Sequence, residues 1–440
     1  MNMWNYRAAI AAITGFFFSA ALFGSESASG TIPDDALKKI EPIMKSYIDG
    51  KRAPGFVVLI SQNGKLVYRN VAGWRDIEAK KPMTMDTQFI LASMTKPITT
   101  VAALQLIEQG KLKLDTPVGQ CVPQLGKMQV YKTDAEGKVY YANPDRPATI
   151  HDLLTHTAGL KYGVGHFQKD PVGRMYHDAE LVASPFDEDQ PSSKSLEDLA
   201  NRLSRLPLAN DPGKVWEYSV ATDVLSHCVE NISGERFDHY LESHIFKPLQ
   251  MTDTRFSVVP GQQDRLAMFY TTAQDGTPHL IPNTFRKKYL TEPTLLSGGG
   301  GLISTATDYM KFAQMLANGG VLNGQRILQE DTVTLMRTNK LPPEILNKEP
   351  IAKLAPSFKG YGFGYGVAVL MHPEELQYAA EEGEYFWPGA SGSKFWIDPK
   401  NHIVGVILTH VLGDITIDND IKDAIYQSMK SSQKLSARNH

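Results

Sequence analysis

From Thr99 to Gln109 the chain is rich in alanine, leucine and isoleucine and carries almost no polar face. A helix apolar nearly all round is a buried helix, so this stretch demands packing partners on every side. Gly110 supplies the stop, where helices commonly end in a left-handed residue. Upstream, Asp86–Ala92 reads as a turn and a short extended segment, which places Ser93-Met94-Thr95-Lys96 at the mouth of the helix. Pro97 falls inside the first turn, where a missing N–H has little consequence. Positions i and i+3 share a helix face, so the Lys96 amine reaches the Ser93 hydroxyl. The helix N-terminus adds roughly half a positive charge and free N–H groups for a developing anion. A serine with an amine beside it in such a place describes an activated nucleophile. The same spacing recurs at Ser391–Lys394, in a strand-like run, and at Ser431–Lys434, in a polar stretch. Neither has a buried helix behind it. On the tetrad alone, Ser93 as an N-cap with a solvated Lys96 stays open, and the rest of the chain has to decide.

The N-terminus runs through Arg7 into an uncharged stretch, Ala8–Phe23, and then Gly24-Ser25-Glu26-Ser27-Ala28-Ser29. That order is the plan of a secretory signal peptide, with residues 1–28 expected to be removed. The apolar run is shorter than the ~20 residues of a membrane span, so no stable insertion is expected after cleavage. The expected destination is the periplasm or the exterior. One domain is expected over 29–430, with 431–440 a polar tail. At 42% hydrophobic, such a length buries one large core or two lobes. A net charge of −3 implies no nucleic-acid partner and no acidic membrane surface. Two cysteines, Cys121 and Cys228, are too few for a disulfide framework. Cys228 lies in a helical run and reads as a buried thiol, with pairing to Cys121 left open. There is no His-Glu-x-x-His, and His151/His156 and His239/His244 are five apart, off a common helical face. Neither metal nor other cofactor is expected.

Taken in order, Asp34–Ile48 puts Leu37, Ile40, Met44, Tyr47 and Ile48 on one helical face. Gly55–Ile60 and Lys65–Tyr68 flank Asn63-Gly64, the strongest short-range hairpin signal. A second hairpin is predicted around Glu136-Gly137. Thr149–Leu160 begins as a helix and ends in a turn, with His151 and His156 structural. Lys161–Ser195 is rich in Gly, Pro, Asp and His without periodicity, a candidate lid over a substrate pocket. Ser195–Leu206 is helical. Pro212-Gly213 then throws out a short segment carrying Trp216 and Tyr218 ahead of a helix ending at Ser233-Gly234. Short strands follow Asp253, with a turn at Asp275-Gly276. Ser297-Gly298-Gly299-Gly300-Gly301 lacks the Gly-Lys-Ser/Thr of a phosphate loop, so close backbone packing is expected there. It leads into a helix over Ala306–Asn318. Lys394–Ile397 and Ile403–Leu408 read as adjacent antiparallel strands, and Ile421–Met429 as a closing amphipathic helix. The pattern is α+β: one antiparallel sheet completed from both ends of the chain, flanked by helices, with an all-helical lobe inserted over about 112–290.

With Ser93-x-x-Lys96, Tyr218-Ser219 and Trp387-Pro388-Gly389 in this order, the chain resembles the serine β-lactamase and penicillin-binding protein superfamily. It is most similar to the class C β-lactamase-like branch that includes the family VIII carboxylesterases. The resemblance covers roughly Ile40–Leu412 and includes the phrases His151–Leu160 and Ser297–Thr305. It implies that Ser93 is acylated, that Lys96 activates it, and that Tyr218 transfers protons. Burial would push the Lys96 pKa down from its usual value near 10.4, and a nearby ammonium would favour a Tyr218 phenolate. It further implies an oxyanion hole from the backbone N–H groups of Ser93 and Ala390, with the third motif on a strand edge. Trp387 would build an apolar wall, and Gly389 would let the acyl group lie close.

Two departures point to the substrate. Where β-lactamases carry Tyr-x-Asn, position 220 is Val220, and Lys-Thr-Gly is replaced by Trp387-Pro388-Gly389. The Asn and Lys that would grip a penicillin-like anion are gone. The expected activity is therefore hydrolysis of small-molecule carboxylic esters, short to medium acyl chains favoured. Asp223 is assigned the N-cap of its helix. The alternatives are a β-lactamase or D-alanyl-D-alanine peptidase using a substitute cation such as Lys161 or Arg174, acyl transfer to a non-water acceptor, and a non-catalytic acyl-ligand sensor.

Overall fold

The computed structural model describes residues 30–164, 169–185, 192–272, 280–413 and 415–438. Helix α1 spans Asp34–Asp49 and leads into strands β1 (Gly55–Gln62) and β2 (Lys65–Asp76). The turn between the strands has Asn63 and Gly64 at φ 51° and 74°, as an Asn-Gly hairpin requires. A two-residue strand β3 (Lys81–Pro82) follows, then helix α2 (Thr95–Glu108). The middle of the chain contributes helix α3 (Ala221–Ser233) and, further on, α4 (Ala306–Ala317). Strands β4 (Tyr361–Phe363), β5 (Ala368–Leu370), β6 (Tyr385–Phe386), β7 (Lys394–Asp398) and β8 (Ile403–Leu408) precede helix α5 (Ile417–Arg438).

The eight strands form one antiparallel sheet in the order β4-β5-β6-β7-β8-β1-β2-β3. The two ends of the chain meet at its centre, where Val57 to Gln62 pair with Leu408 to Ile403. Strand alternation sends Phe56 towards Tyr47 of α1, 6.2 Å between ring centres. It sends Ser61 the other way, onto Gln314 of α4. The sheet is thus covered on both faces, which is why β1 and β8 are buried along their whole length and read as continuous apolar runs. α2 is buried from Thr95 through Leu106 and packs against α3.

The inserted middle region is mainly helical and also holds two short hairpins. One pairs Val130–Thr133 with Val139–Ala142, around the expected Glu136-Gly137 turn. The other pairs Phe269–Thr272 with Leu280–Asn283 and is joined by Val411–Leu412. The turn expected at Asp275-Gly276, the expected signal peptide over 1–28 and parts of the predicted lid lie outside the described residues. α5 continues past the expected 421–429 and through the polar stretch to Arg438.

One reading is corrected. Cys228 is not a free buried thiol: it forms a disulfide with Cys121, across 107 residues. The bond ties the short helix Val118–Cys121 to α3. Sequence spacing carries no trace of it, because the two cysteines meet only through packing of distant helices.

His410 holds the strand leading to Ser93. Its Nε2 accepts from the Ile90 N–H at 2.6 Å, and Nδ1 lies 3.1 Å from the Ala267 carbonyl. The ring is therefore neutral with its proton on Nδ1. Full burial pushes its pKa down from 6.5 to about 3. A folded value below the unfolded one means the unfolded chain binds the proton more tightly. Stability is then complete above pH ~6.5 and falls as pH drops towards the folded value, by up to ~1.4 kcal/mol per pH unit. Urea midpoints measured from pH 7.5 to 5 are expected to fall, and His410→Gln to flatten the slope. An unaltered slope in the variant would remove His410 as the cause.

Candidate active site

Ser93 sits in a tight 3-10 turn, Ala92–Met94, that runs directly into α2. Ala92 has φ +46°, a left-handed conformation uncommon for a residue with a Cβ, of the kind concentrated at functional sites. The turn is clamped on both sides. Leu91 N–H donates to Leu302 O at 2.9 Å, Leu302 N–H to Thr95 Oγ1 at 3.2 Å, and Tyr309 Oη to Met94 O at 2.9 Å.

Lys96 is fully buried. Its Nζ lies 3.2 Å from Ser93 Oγ, 2.6 Å from the Gly299 carbonyl and 3.5 Å from Tyr162 Oη. Tyr218 arrives on the extended segment between the Pro212-Gly213 turn and α3, and its Oη donates to Ser93 Oγ at 2.7 Å. The three residues singled out from sequence therefore meet at one oxygen. The solvated-Lys96 alternative is ruled out by burial.

Tyr218 is held in a stack of rings. Tyr162 lies parallel to it at 5.3 Å, Trp216 stacks at 6.3 Å, His156 packs at 4.9 Å and Trp387 tilts against it at 5.3 Å. His156 is structural, as expected, yet it lies directly against Tyr218 and has Nδ1 3.2 Å from Ser219 Oγ. Burial, reinforced by Lys96, holds its pKa well below the usual value, so the ring is neutral. Tyr162 was missed as a site residue. It comes from the predicted lid, and nothing in its local sequence marks it. Burial holds its phenol pKa well above the ordinary range, so Tyr162 keeps its proton.

The glycine run packs as expected. A Cβ on Gly298 would stand 2.6 Å from Ser226 Cβ, and one on Gly299 2.4 Å from Asp223 Oδ2. Asp223 itself is a correction: Val220 occupies the N-cap of α3, and Asp223 lies within the helix. Its Oδ1 accepts from Ser297 Oγ at 2.5 Å and from Gly299 N–H at 3.1 Å. Asp223 thereby fixes the segment whose carbonyl holds Lys96. Burial raises its pKa against the opposing pull of Lys96. Its position in the first turn suggested a cap; the glycine segment that claims it is 74 residues away in sequence.

Trp387-Pro388-Gly389-Ala390 lies in the connection from β6 to β7, beyond the end of β6 and not along a strand edge. Trp387, Gly389 and Ala390 line one cavity together with Ser93 and Tyr218. The cavity measures about 710 Å³, within the range of small-molecule sites. Its walls include Phe256, Phe285, Leu295, Leu354 and Phe358, together with Tyr162, Val164, Val182 and Ala183 from the segment expected to be a lid. Lys161 is not on that wall: it is tied to Asp170 at 2.7 Å and Glu217 at 2.8 Å. Arg174 donates instead to the Lys169 carbonyl. Among the described residues, the lysines lining the cavity are Lys288 and Lys394. Lys394 is bound to the buried Asp418 at 2.8 Å.

Gly389 lines the cavity, where a bare position is expected to leave room for an acyl group, and it also meets a packing constraint. A Cβ there would stand 2.3 Å from the Leu91 carbonyl oxygen, so its bareness lets the third motif close on the turn that carries Ser93. Gly389→Ala is expected to displace that turn and lower kcat by about 10²-fold, the scale of an ångström-sized misplacement. Steady-state kinetics beside a thermal melt would check this. Unchanged kcat would show that the contact does not set the position of Ser93.

Residues 38–428 match the Beta-lactamase family. The chain belongs to that family. Protein Rv1367c of Mycobacterium tuberculosis is 34% identical over 379 residues, covering 85% of this chain and 90% of that protein. Esterase EstB of Burkholderia gladioli is 28% identical, covering 88% and 94%. Among solved structures, EstCE1, described as a hydrolase with promiscuous acyltransferase activity, superposes with a TM-score of 0.74 at 29% identity, covering 89% and 99%. This beta-lactamase-family chain is thus a hydrolase or acyltransferase type of enzyme, with small-molecule esterases among its relatives.

Proposed function

We propose that the protein hydrolyses small-molecule carboxylic esters through an acyl-enzyme on Ser93. The observation that carries this reading is the convergence of Tyr218 Oη at 2.7 Å and Lys96 Nζ at 3.2 Å on Ser93 Oγ. In the reactive form, Tyr218 is a phenolate beside the Lys96 ammonium. It takes the Ser93 proton as the Oγ–carbonyl bond forms, and the carbonyl oxygen becomes an oxyanion held by the N–H groups of Ser93 and Ala390. Tyr218 then passes that proton to the alcohol oxygen as the ester C–O bond breaks. In the second half water attacks the acyl carbon, giving its proton to Tyr218, and Tyr218 returns it to Ser93 Oγ as the acid departs.

The apolar cavity wall and the replacement of Lys-Thr-Gly by Trp387-Pro388-Gly389 support uncharged esters over β-lactam anions. Turnover of a p-nitrophenyl acyl ester series beside a chromogenic cephalosporin tests this. Ester turnover with slow or no cephalosporin turnover is expected, and the reverse ranking would overturn the substrate assignment. Acyl transfer to an alcohol is a second reading, favoured by the apolar walls around Ser93 and by the activity of EstCE1. Methyl ester appearing when methanol is added to the assay would support it. Export to the periplasm or exterior completes the proposal. It is supported by the order of residues 1–28 and by the Cys121–Cys228 disulfide, a bond that persists in oxidising compartments.

A further inference from the structure

We infer that the indole N–H of Trp387 is a positioning donor for Tyr218, setting both the direction of the tyrosine proton and the ease of its loss. This rests on the acyl-enzyme reading above and adds a role beyond the apolar wall. Trp387 is buried, and a buried indole N–H usually takes an acceptor; those of Trp216 and Trp396 have none among the described residues, whereas that of Trp387 does. The acceptor it has is Tyr218 Oη, 3.3 Å from Nε1. The geometry leaves little freedom, because Trp387 packs edge-on against Phe363 at 5.3 Å and beside Phe358 at 5.7 Å.

The donor inventory gives this contact its consequence. An indole nitrogen donates and never accepts, whereas a phenol oxygen does both. With the Trp387 N–H aimed at Tyr218 Oη, the tyrosine proton must point elsewhere, and Ser93 Oγ at 2.7 Å receives it. Trp387 therefore orients the proton along the line it travels. When Tyr218 is a phenolate the same N–H meets a charged acceptor, and charge-assisted bonds are roughly twice as strong as neutral ones. The bond strengthens in the form that takes the Ser93 proton, so it favours deprotonation.

Other described groups face Tyr218 as well. The Lys96 ammonium lies 4.7 Å from its ring centre, on the side of α2. Tyr162 is a protonated phenol and His156 a neutral imidazole. Asp223, on α3, is engaged by Ser297 and Gly299. Glu217, the preceding residue, is bound to Lys161. Among these groups, Lys96 favours a negative Tyr218 oxygen by charge and Trp387 by a directed hydrogen bond.

Two replacements separate this role from simple wall-building. Trp387→Phe removes the N–H together with part of the ring. Replacement of Trp387 by 3-benzothienylalanine keeps the bicycle and puts sulfur where the N–H was. With a p-nitrophenyl butanoate assay from pH 5 to 10, both are expected to lower kcat by about 10- to 100-fold. The benzothienyl protein should keep its KM, and the acid limb of its kcat/KM profile should move up by about one pH unit. Wild-type kcat and an unshifted limb in that protein would overturn the inference and leave Trp387 as a wall. Stoichiometric labelling of Ser93 by a fluorophosphonate, read by mass spectrometry, tests the underlying reading separately. A wild-type enzyme unlabelled at Ser93 would remove that reading, and this inference with it.

Discussion

Ser93→Ala is expected to lower kcat on a p-nitrophenyl ester by about 10⁶-fold, the scale seen when a hydrolase nucleophile is removed. Tyr218→Phe should lower it by about 10²–10⁴-fold, the range of general acid–base catalysis. The informative variant is the double one. Ser93 Oγ and Tyr218 Oη share one hydrogen bond at 2.7 Å, so they act as a unit and their effects should not add. The double variant should match Ser93→Ala alone. Full additivity would mean that Tyr218 acts on substrate independently of Ser93, and ester turnover surviving in Ser93→Ala would move the nucleophile elsewhere. Neither change should unfold the protein. Ser93 and Tyr218 both face the cavity, and Phe at 218 preserves the ring packing against Tyr162, His156 and Trp216. Near-wild-type melting curves would confirm that kinetics, not folding, is being read.

What could be read before any coordinates follows a physical divide. The buried helix α2, the Asn63-Gly64 hairpin and the antiparallel pair β7–β8 each carry a local signature, either a periodicity or a turn chemistry. Ser93 and Lys96 were legible because i, i+3 spacing on a helix is itself a distance. Tyr218 needed motif order across 125 residues, which is why it came through resemblance to a family. Tyr162, the Trp387–Tyr218 hydrogen bond and the Asp223–Gly299 contact left no such mark. Each depends on two segments far apart in sequence meeting at a single atom. The contact that Gly389 makes with the Ser93 turn was hidden for the same reason: its neighbour is the Leu91 carbonyl, and nothing local to residue 389 names it.

The disulfide belongs to that last class, and its removal carries the largest expected effect on stability. Cys121 and Cys228 stand 107 residues apart with Cα atoms 5.1 Å from each other. Closing so long a loop in the unfolded chain corresponds to about 4–5 kcal/mol on the chain-entropy model, and measured losses for native disulfides run at about 2–5 kcal/mol. The double variant Cys121→Ala, Cys228→Ala should therefore show a clearly lower guanidinium midpoint with an intact fold at low denaturant. Activity should behave differently. Cys228 lies beyond Asp223 on α3, and the side chains that touch Ser93 are supplied by α2 and by the segment ahead of α3, with Asp223 and the ring stack holding them through contacts of their own. At 25 °C the variant's kcat should stay within about threefold of wild type, since surviving contacts keep local geometry when only the unfolded state gains freedom. Heating should then separate the two proteins, the variant losing activity at the lower temperature. An unchanged midpoint would mean that Cys121 and Cys228 are not bonded in the folded protein. A large loss of kcat at 25 °C would mean instead that the bond positions α3, and through Asp223 the Gly299 carbonyl that holds Lys96.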